Sequence, residues 1–211
     1  MRNALINNAI AQSLSRDRLN KYLNASGNDL DLAIALYERN TRLAEAFYTP
    51  LQALEICLRN HVDRELAATY GADWMRNGTP PLAPWASKTI ADAISDLATS
   101  KAPVTPGDIV AELHFGFWLS LLGQQYDNTL WRTACYRAFS EAGKRLKRKR
   151  VHNRLNAIRR FRNRVAHHEP IFHANLQQVH DEIIGSASWM CAETAAWATH
   201  HSRLPSVLAA P

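Results

Sequence analysis

The sequence predicts an all-α protein, a bundle of helices. Three observations lead there. Apolar residues recur at three- and four-residue spacing through most of the chain. No stretch sustains the alternation of β-branched and aromatic residues that a half-buried strand needs. Residues that start and stop helices also fall between the periodic segments.

The elements follow in order. Ser15 is placed to cap a short helix carrying Leu19 and Leu23 that stops near Gly27. Asn28 or Asp29 starts the next, with Leu32, Leu36, Leu43 and Phe47 on its inner side. Thr49-Pro50-Leu51-Gln52 reads as a capping box, with threonine as N-cap and proline at the first helical position. The helix it opens carries Leu51, Leu54, Leu58, Val62 and Leu66, and Gly71 ends it. Glycine and three prolines make 72–86 a loop, and a helix over about 87–99 presents Ile90, Ile94 and Leu97. After a turn between Pro103 and Pro106, Thr105-Pro106 opens a helix with Ile109, Leu113, Phe117 and Leu121 on one face, before Gly123. A short helix is expected from about Thr129 to Phe139, and a long basic one from about Ser140 to His168, closed by Pro170. A last helical region runs from about Ala174 to His200, broken near Gly185. Residues 1–211 are expected to form one all-helical domain.

Composition narrows the function. Apolar residues make up 46% and charged residues 21% of the 211, ordinary for a globular protein. No apolar run approaches the ~20 residues that span a bilayer, and Met1-Arg2-Asn3 does not begin a secretion signal. Cys57, Cys135 and Cys191 follow no metal-ligand pattern and suit buried thiols in a reducing cytoplasm. The expectation is therefore a cytoplasmic protein with no membrane association. The net charge of +6 is unevenly spread: 11 of the 25 Lys and Arg lie between Lys144 and Arg164, where there is no Asp or Glu. The remainder has 14 bases against 19 acids. Such a stripe is the footprint of a polyanion partner.

On the basic helix, at about 100° per residue, Val151, Leu155, Ile158 and Val165 fall on one side, with Phe161 at its edge. Arg162 projects into the middle of that apolar stripe. A second, polar stripe collects His152, Asn156, Arg159, Asn163 and His167. Together these suit RNA cleavage, because RNA carries its own nucleophile in the 2′-hydroxyl. Histidine can move a proton near neutral pH, arginine can hold phosphate oxygens, and Asn163 can orient either. One histidine covers one proton transfer, so two copies in a dimer would supply both. An open alternative makes Arg162 and Glu55 a buried ion pair between two helices, with His167 a helix-end residue favoured there by the macrodipole. A metal site at His167, His168, Glu169 and His173 is disfavoured because adjacent helical histidines diverge. No glycine-rich phosphate loop or serine or cysteine nucleophile context is present.

The stretch from Ile158 to Phe172, with Arg162, Asn163 and His167-His168-Glu169-Pro170, resembles the signature of the Abi-like (abortive-infection) family of the HEPN superfamily. Its nuclease motif is Arg, a polar residue, three further residues and His. Two more blocks resemble the same family: Leu54-Glu55 through Asn60 with Tyr70 to Trp74, and Val110 through Trp118 continuing to Trp131. The likeness spans about Arg18 to Trp189. It implies a HEPN-type helical bundle with additional N-terminal helices that forms a homodimer. The implied activity is a metal-independent, cofactor-free endoribonuclease of phage-defence or toxin type, with a protein or RNA antitoxin as a further partner. Arg162, Asn163 and His167 are then catalytic, with Glu55, Arg59, Asn60 and His168 supporting them. Lys144, Arg145, Lys147, Arg148, Lys149, Arg150 and Arg159 are expected to meet RNA. The alternatives are a non-catalytic RNA-binding or protein-interaction module of the same superfamily, or a purely structural helical protein.

Overall fold

The computed structural model describes residues 3–100 and 102–210, and these are 74% helical with one two-stranded sheet. Three helices come first: α1 (Ala4–Leu14), α2 (Arg16–Ala25) and α3 (Leu30–Ala46). Asn3, Ser15 and Asp29 cap them by accepting backbone N–H groups, so Ser15 and Asp29 act as the sequence predicts. Leu19, Tyr22, Ala33 and Ile34 close a small core of their own. Leu32, expected inside, is 58% exposed, because the inner face of α3 runs through Ala33 and Ile34. Leu43 and Phe47 join the main core.

Helix α4 (Tyr48–Tyr70) follows α3 with only Phe47 between them. The expected capping box at Thr49 is not formed: Phe47 is the N-cap, without a side-chain bond. Pro50 is tolerated inside the first turn because the N–H groups there lack intrahelical partners anyway. α4 is the central strut, burying Leu51, Leu54, Leu58, Val62 and Leu66 before Gly71 ends it at φ 94°. Helices α5 (Pro84–Ser100) and α6 (Pro106–Glu112) follow, the second opened by a full capping box between Thr105 and Asp108.

The single helix expected from Thr105 to Gly123 is broken. Leu113 is extended, and α7 (Phe115–Ser120) restarts the helix with His114 as its N-cap. The break keeps Ile109, Leu113, Phe117 and Leu121 all buried. It also turns Trp118 so that its indole N–H donates to the Leu113 carbonyl at 2.9 Å.

Irregular turns replace the helix expected over Thr129–Phe139, with a π turn at Asp127–Trp131 and a 3-10 turn at Cys135–Ala138. Leu130, Trp131, Ala134, Cys135 and Phe139 are all buried, covering about half a circumference, more than one regular helix face provides. Ser140 to Arg145, expected to begin the basic helix, form a hairpin of β1 (Ser140–Glu141) and β2 (Lys144–Arg145). Ala142 and Gly143 both take positive φ in its turn, the geometry that matches strand twist.

The basic helix is therefore shorter than expected: α8 spans Arg148–Ala166 and packs Val151, Leu155, Ile158 and Phe161 inward. Phe161 meets Phe47 edge-on at 4.7 Å. Helices α9 (Leu176–Ser188), α10 (Ala192–His201) and α11 (Leu204–Ala209) complete the chain. Gly185 lies inside α9, and the break comes at Trp189–Cys191 instead. There the hairpin pins Trp189, whose carbonyl accepts the Ser140 N–H while its indole donates to Glu141. Among the described residues no helix is long and apolar enough to cross a membrane.

The cysteines divide by burial. Burial pushes the Cys57 thiol up to about 11 and the Cys135 thiol to about 12, so neither offers thiolate near neutrality. Cys191 is only half-buried. Alkylation of the folded protein at pH 8, read by mass spectrometry, should modify Cys191 alone, with Cys57 and Cys135 reacting only after denaturation.

Candidate active site

The candidate site lies where α8 meets α4 and α7. Arg162 is neither deeply buried nor free: its side chain is 37% exposed, and its guanidinium stands 3.6 Å from the Glu55 carboxylate on α4. The same carboxylate accepts the Phe115 N–H at 3.1 Å, at the start of α7. The ion pair open on sequence grounds is thus present, but at the rim of the core. Half-exposed pairs of this kind contribute about 0–1 kcal/mol. Arg162 consequently faces two clefts. One, about 870 Å³, lies along α4 and includes Tyr48, Leu51, Ile56, Arg59 and Val165 in its lining. The other, about 180 Å³, is lined by His114, Phe115, Gly116, Arg159, Arg162 and Asn163.

His167 closes α8. It is the C-cap, and His168 follows in the left-handed region at φ 56°. The Glu169 N–H reaches back to the Arg164 carbonyl at 2.8 Å and the His168 N–H to Val165 at 3.1 Å. This pair of bonds is a Schellman motif, so the turn at His168, rather than Pro170, ends the helix. His167 is exposed, and among the described residues no side chain hydrogen-bonds its ring.

The N-terminal helices hold this turn in place. Arg18 on α2 donates to the His168 carbonyl at 2.8 Å. On α3 the buried Asn40 accepts both the Ile171 N–H (2.7 Å) and the Phe172 N–H (3.2 Å). Phe172 in turn packs 5.4 Å from Tyr22.

The other expected site residues scatter. Arg59 lines the large cleft and donates to the Ala111 carbonyl at 3.3 Å, while its Nε is buried without a partner among the described residues. Asn60 lies on a different face of α4, beside His61 and Trp197, and is not brought to Arg162. Arg159 is oriented by Asn156, whose side-chain oxygen accepts from its Nε and from a terminal nitrogen, at 3.2 and 3.1 Å. Lys144, Arg145, Lys147 and Lys149 are exposed, the first two on the hairpin rather than on a helix. Arg148 is mostly covered, bonded to Asp127 at 3.1 Å and to the Leu122 carbonyl at 3.0 Å. Arg150 pairs with Glu141 at 2.8 Å and lies over the Trp189 ring.

The alternative metal ligands are otherwise engaged. Glu169 pairs with Arg164 at 3.6 Å, and the Arg164 guanidinium donates to His173 at 2.9 Å. Burial, then Arg164 and Lys21, hold the His173 ring below the usual histidine range. Among the described residues no three His, Cys, Asp or Glu side chains converge as metal ligands. The residue that sequence reasoning passed over is His114. Its nearest signal was its place beside Phe115 and Gly116, but a histidine N-cap is not a usual helix-start signal.

Glu55 and Arg162 should differ in stability effect. Glu55→Ala strands the partly buried Phe115 N–H and should cost about 1–3 kcal/mol, whereas Arg162→Ala should cost under about 1 kcal/mol. Urea denaturation of both variants would check the order. Asn40→Ala, which strands two N–H groups, should be at least as costly as Glu55→Ala in the same measurement.

Scanned against protein-family models, the sequence matches none. Searches of curated proteins and of solved structures likewise return no match.

Proposed function

We propose that this chain is a metal-independent endoribonuclease of the HEPN type, serving phage defence or acting as a toxin, in the cytoplasm. The observation that carries the reading is Arg162, a half-exposed arginine anchored by Glu55 and open to two clefts, with an exposed histidine, His167, following on the same helix end. An arginine placed only to tie helices together has no need of that access.

The chemistry follows from the substrate. The 2′-oxygen attacks the adjacent phosphorus as its proton passes to an imidazole. The P–O5′ bond breaks, and O5′ takes a proton from a second acid. The products are a 2′,3′-cyclic phosphate and a 5′-hydroxyl. Arg162 neutralises charge on the phosphoryl oxygens in the transition state, and Asn163 orients the phosphate or the histidine. His167 provides one of the two proton transfers, each worth ~10²–10⁴ in rate.

One His167 per protomer leaves the second transfer to another copy. The large cleft supports that arrangement, since the exposed Tyr48 and Ile56 line it and His168 stands at its edge beside His167. We assign the cleft to a second copy of this chain, which would bring two His167 side chains to one groove. RNA is the substrate, and an antitoxin of protein or RNA is a further partner.

A second reading has an observation of its own. His167 has no side chain holding its ring among the described residues, which also suits a non-catalytic RNA-binding or protein-interaction module. Cleavage separates the two. Purified protein should cut labelled RNA in the presence of a chelator, leaving a cyclic phosphate. His167→Ala should lower the rate at least ~10²-fold, and Arg162→Ala by ~10²–10³, both with melts close to the parent. Full activity in His167→Ala would remove the catalytic reading.

Assembly gives an independent check. Ile56→Glu puts a charge in the apolar cleft and should yield a monomer by sedimentation, with cleavage lost in parallel. A parent that is monomeric and active at micromolar concentration would overturn the shared-groove arrangement.

A further inference from the structure

We infer that the small cleft between α7 and α8 is a phosphate-binding subsite in which His114 acts as a neutral donor and Arg159 as the charged one. The inference rests on the nuclease reading only for its substrate.

His114 is not a free surface histidine. Its Nδ1 accepts the Phe117 N–H at 3.1 Å, capping α7. A nitrogen that accepts from a backbone N–H carries no proton, so in the neutral ring the proton sits on Nε2. The cap therefore fixes the tautomer and leaves Nε2–H as the ring's donor, on a residue that lines the cleft. Gly116 keeps that space open. A Cβ there would stand 3.5 Å from Cε1 of His114 and 4.0 Å from Cδ of Arg159, so the ring and the arginine stem flank the same gap.

The cleft's polar groups are donors or amides. Arg159 is held by the neutral Asn156, and among the described residues no carboxylate forms an ion pair with it. Arg162 and Asn163 complete the lining, and no acidic side chain is part of it. The Glu55 carboxylate is already shared between Arg162 and the Phe115 N–H. At about 180 Å³ the cleft falls below the range that holds drug-sized ligands, yet it has room for a tetrahedral phosphate group. Two guanidinium groups, an amide and an imidazole N–H are a complementary set for phosphate oxygens. The phosphate belongs to an RNA backbone next to the scissile position, or to a free phosphomonoester.

The test uses a fluorescent 2′-O-methyl oligoribonucleotide, which cannot be cleaved, so binding is read apart from catalysis. Arg159→Gln should weaken binding about tenfold and reduce the salt dependence by about one phosphate contact. His114→Ser keeps a good N-cap while removing the donor. It should also weaken binding about tenfold, but leave the salt dependence unchanged, because a neutral group releases no counterion. Competition by inorganic phosphate, with loss of the oligonucleotide, supports the subsite as drawn. If inorganic phosphate shifts the His114 and Arg159 side-chain NMR signals while the oligonucleotide does not, the subsite stands and takes a free phosphomonoester. Parent-like affinity of both probes for both variants overturns it. Failure of the nuclease reading would show instead as intact binding of this oligonucleotide with no cleavage of ordinary RNA by the parent.

Discussion

The Glu55 carboxylate meets three elements at once: it belongs to α4, accepts the first N–H of α7 at Phe115 and faces the Arg162 guanidinium on α8. α4 is also the helix around which the main core is built, with Leu51, Leu54, Leu58 and Val62 buried on its inner side. The carboxylate therefore transfers the rigidity of that core to the two elements bearing the polar groups of the small cleft. Without it the start of α7 would lose an acceptor, and Arg162 would lose the group that fixes its reach. Because Arg162 remains 37% exposed, the interaction orients the arginine without removing it from solvent. Position, more than stability, is what a pair of this kind supplies.

Much of the helical frame was legible from local chemistry. Ser15, Asp29, Thr105-Pro106 and Gly71 all mark helix ends by bonds or backbone geometry formed within a few residues. The errors fall where tertiary contact overrules local preference. Thr49-Pro50 looks like a start, yet Phe47 packs against Phe161 and sets the boundary earlier. The hairpin carries little sequence signal, because its strands have two residues each and its Ala142-Gly143 turn lacks the usual Asn-Gly or Asp-Gly pair. Leu113 and His114 carry no breaker signal, and the gap between α6 and α7 depends on Trp118 and Phe117 finding partners there.

For the site, periodicity put Arg162 in the middle of the apolar stripe with Glu55 as its possible partner, and the pair forms, but at the rim of the core. Periodicity could not give depth, which decides between a buried pair and an accessible one. The positive stripe was legible as charge but not as availability. Arg148 is committed to Asp127 and Arg150 to Glu141, while Arg159, held only by an amide, keeps its charge for a partner. A count of lysines and arginines treats all of these alike.

The turn after α8 depends on a part of the molecule with its own small core. Arg18, Asn40 and Tyr22, all from the first three helices, grip the His168 carbonyl, the Ile171 and Phe172 amides and the Phe172 ring. That makes the N-terminal helices a separately meltable brace. A sub-global opening confined to Leu19, Tyr22, Ala33 and Ile34 would release the Schellman turn while α4, α8 and their core stayed intact. In such an opening Arg162 would stay held by Glu55 on α4, while the turn that follows His167 would lose its contacts to Arg18 and Asn40.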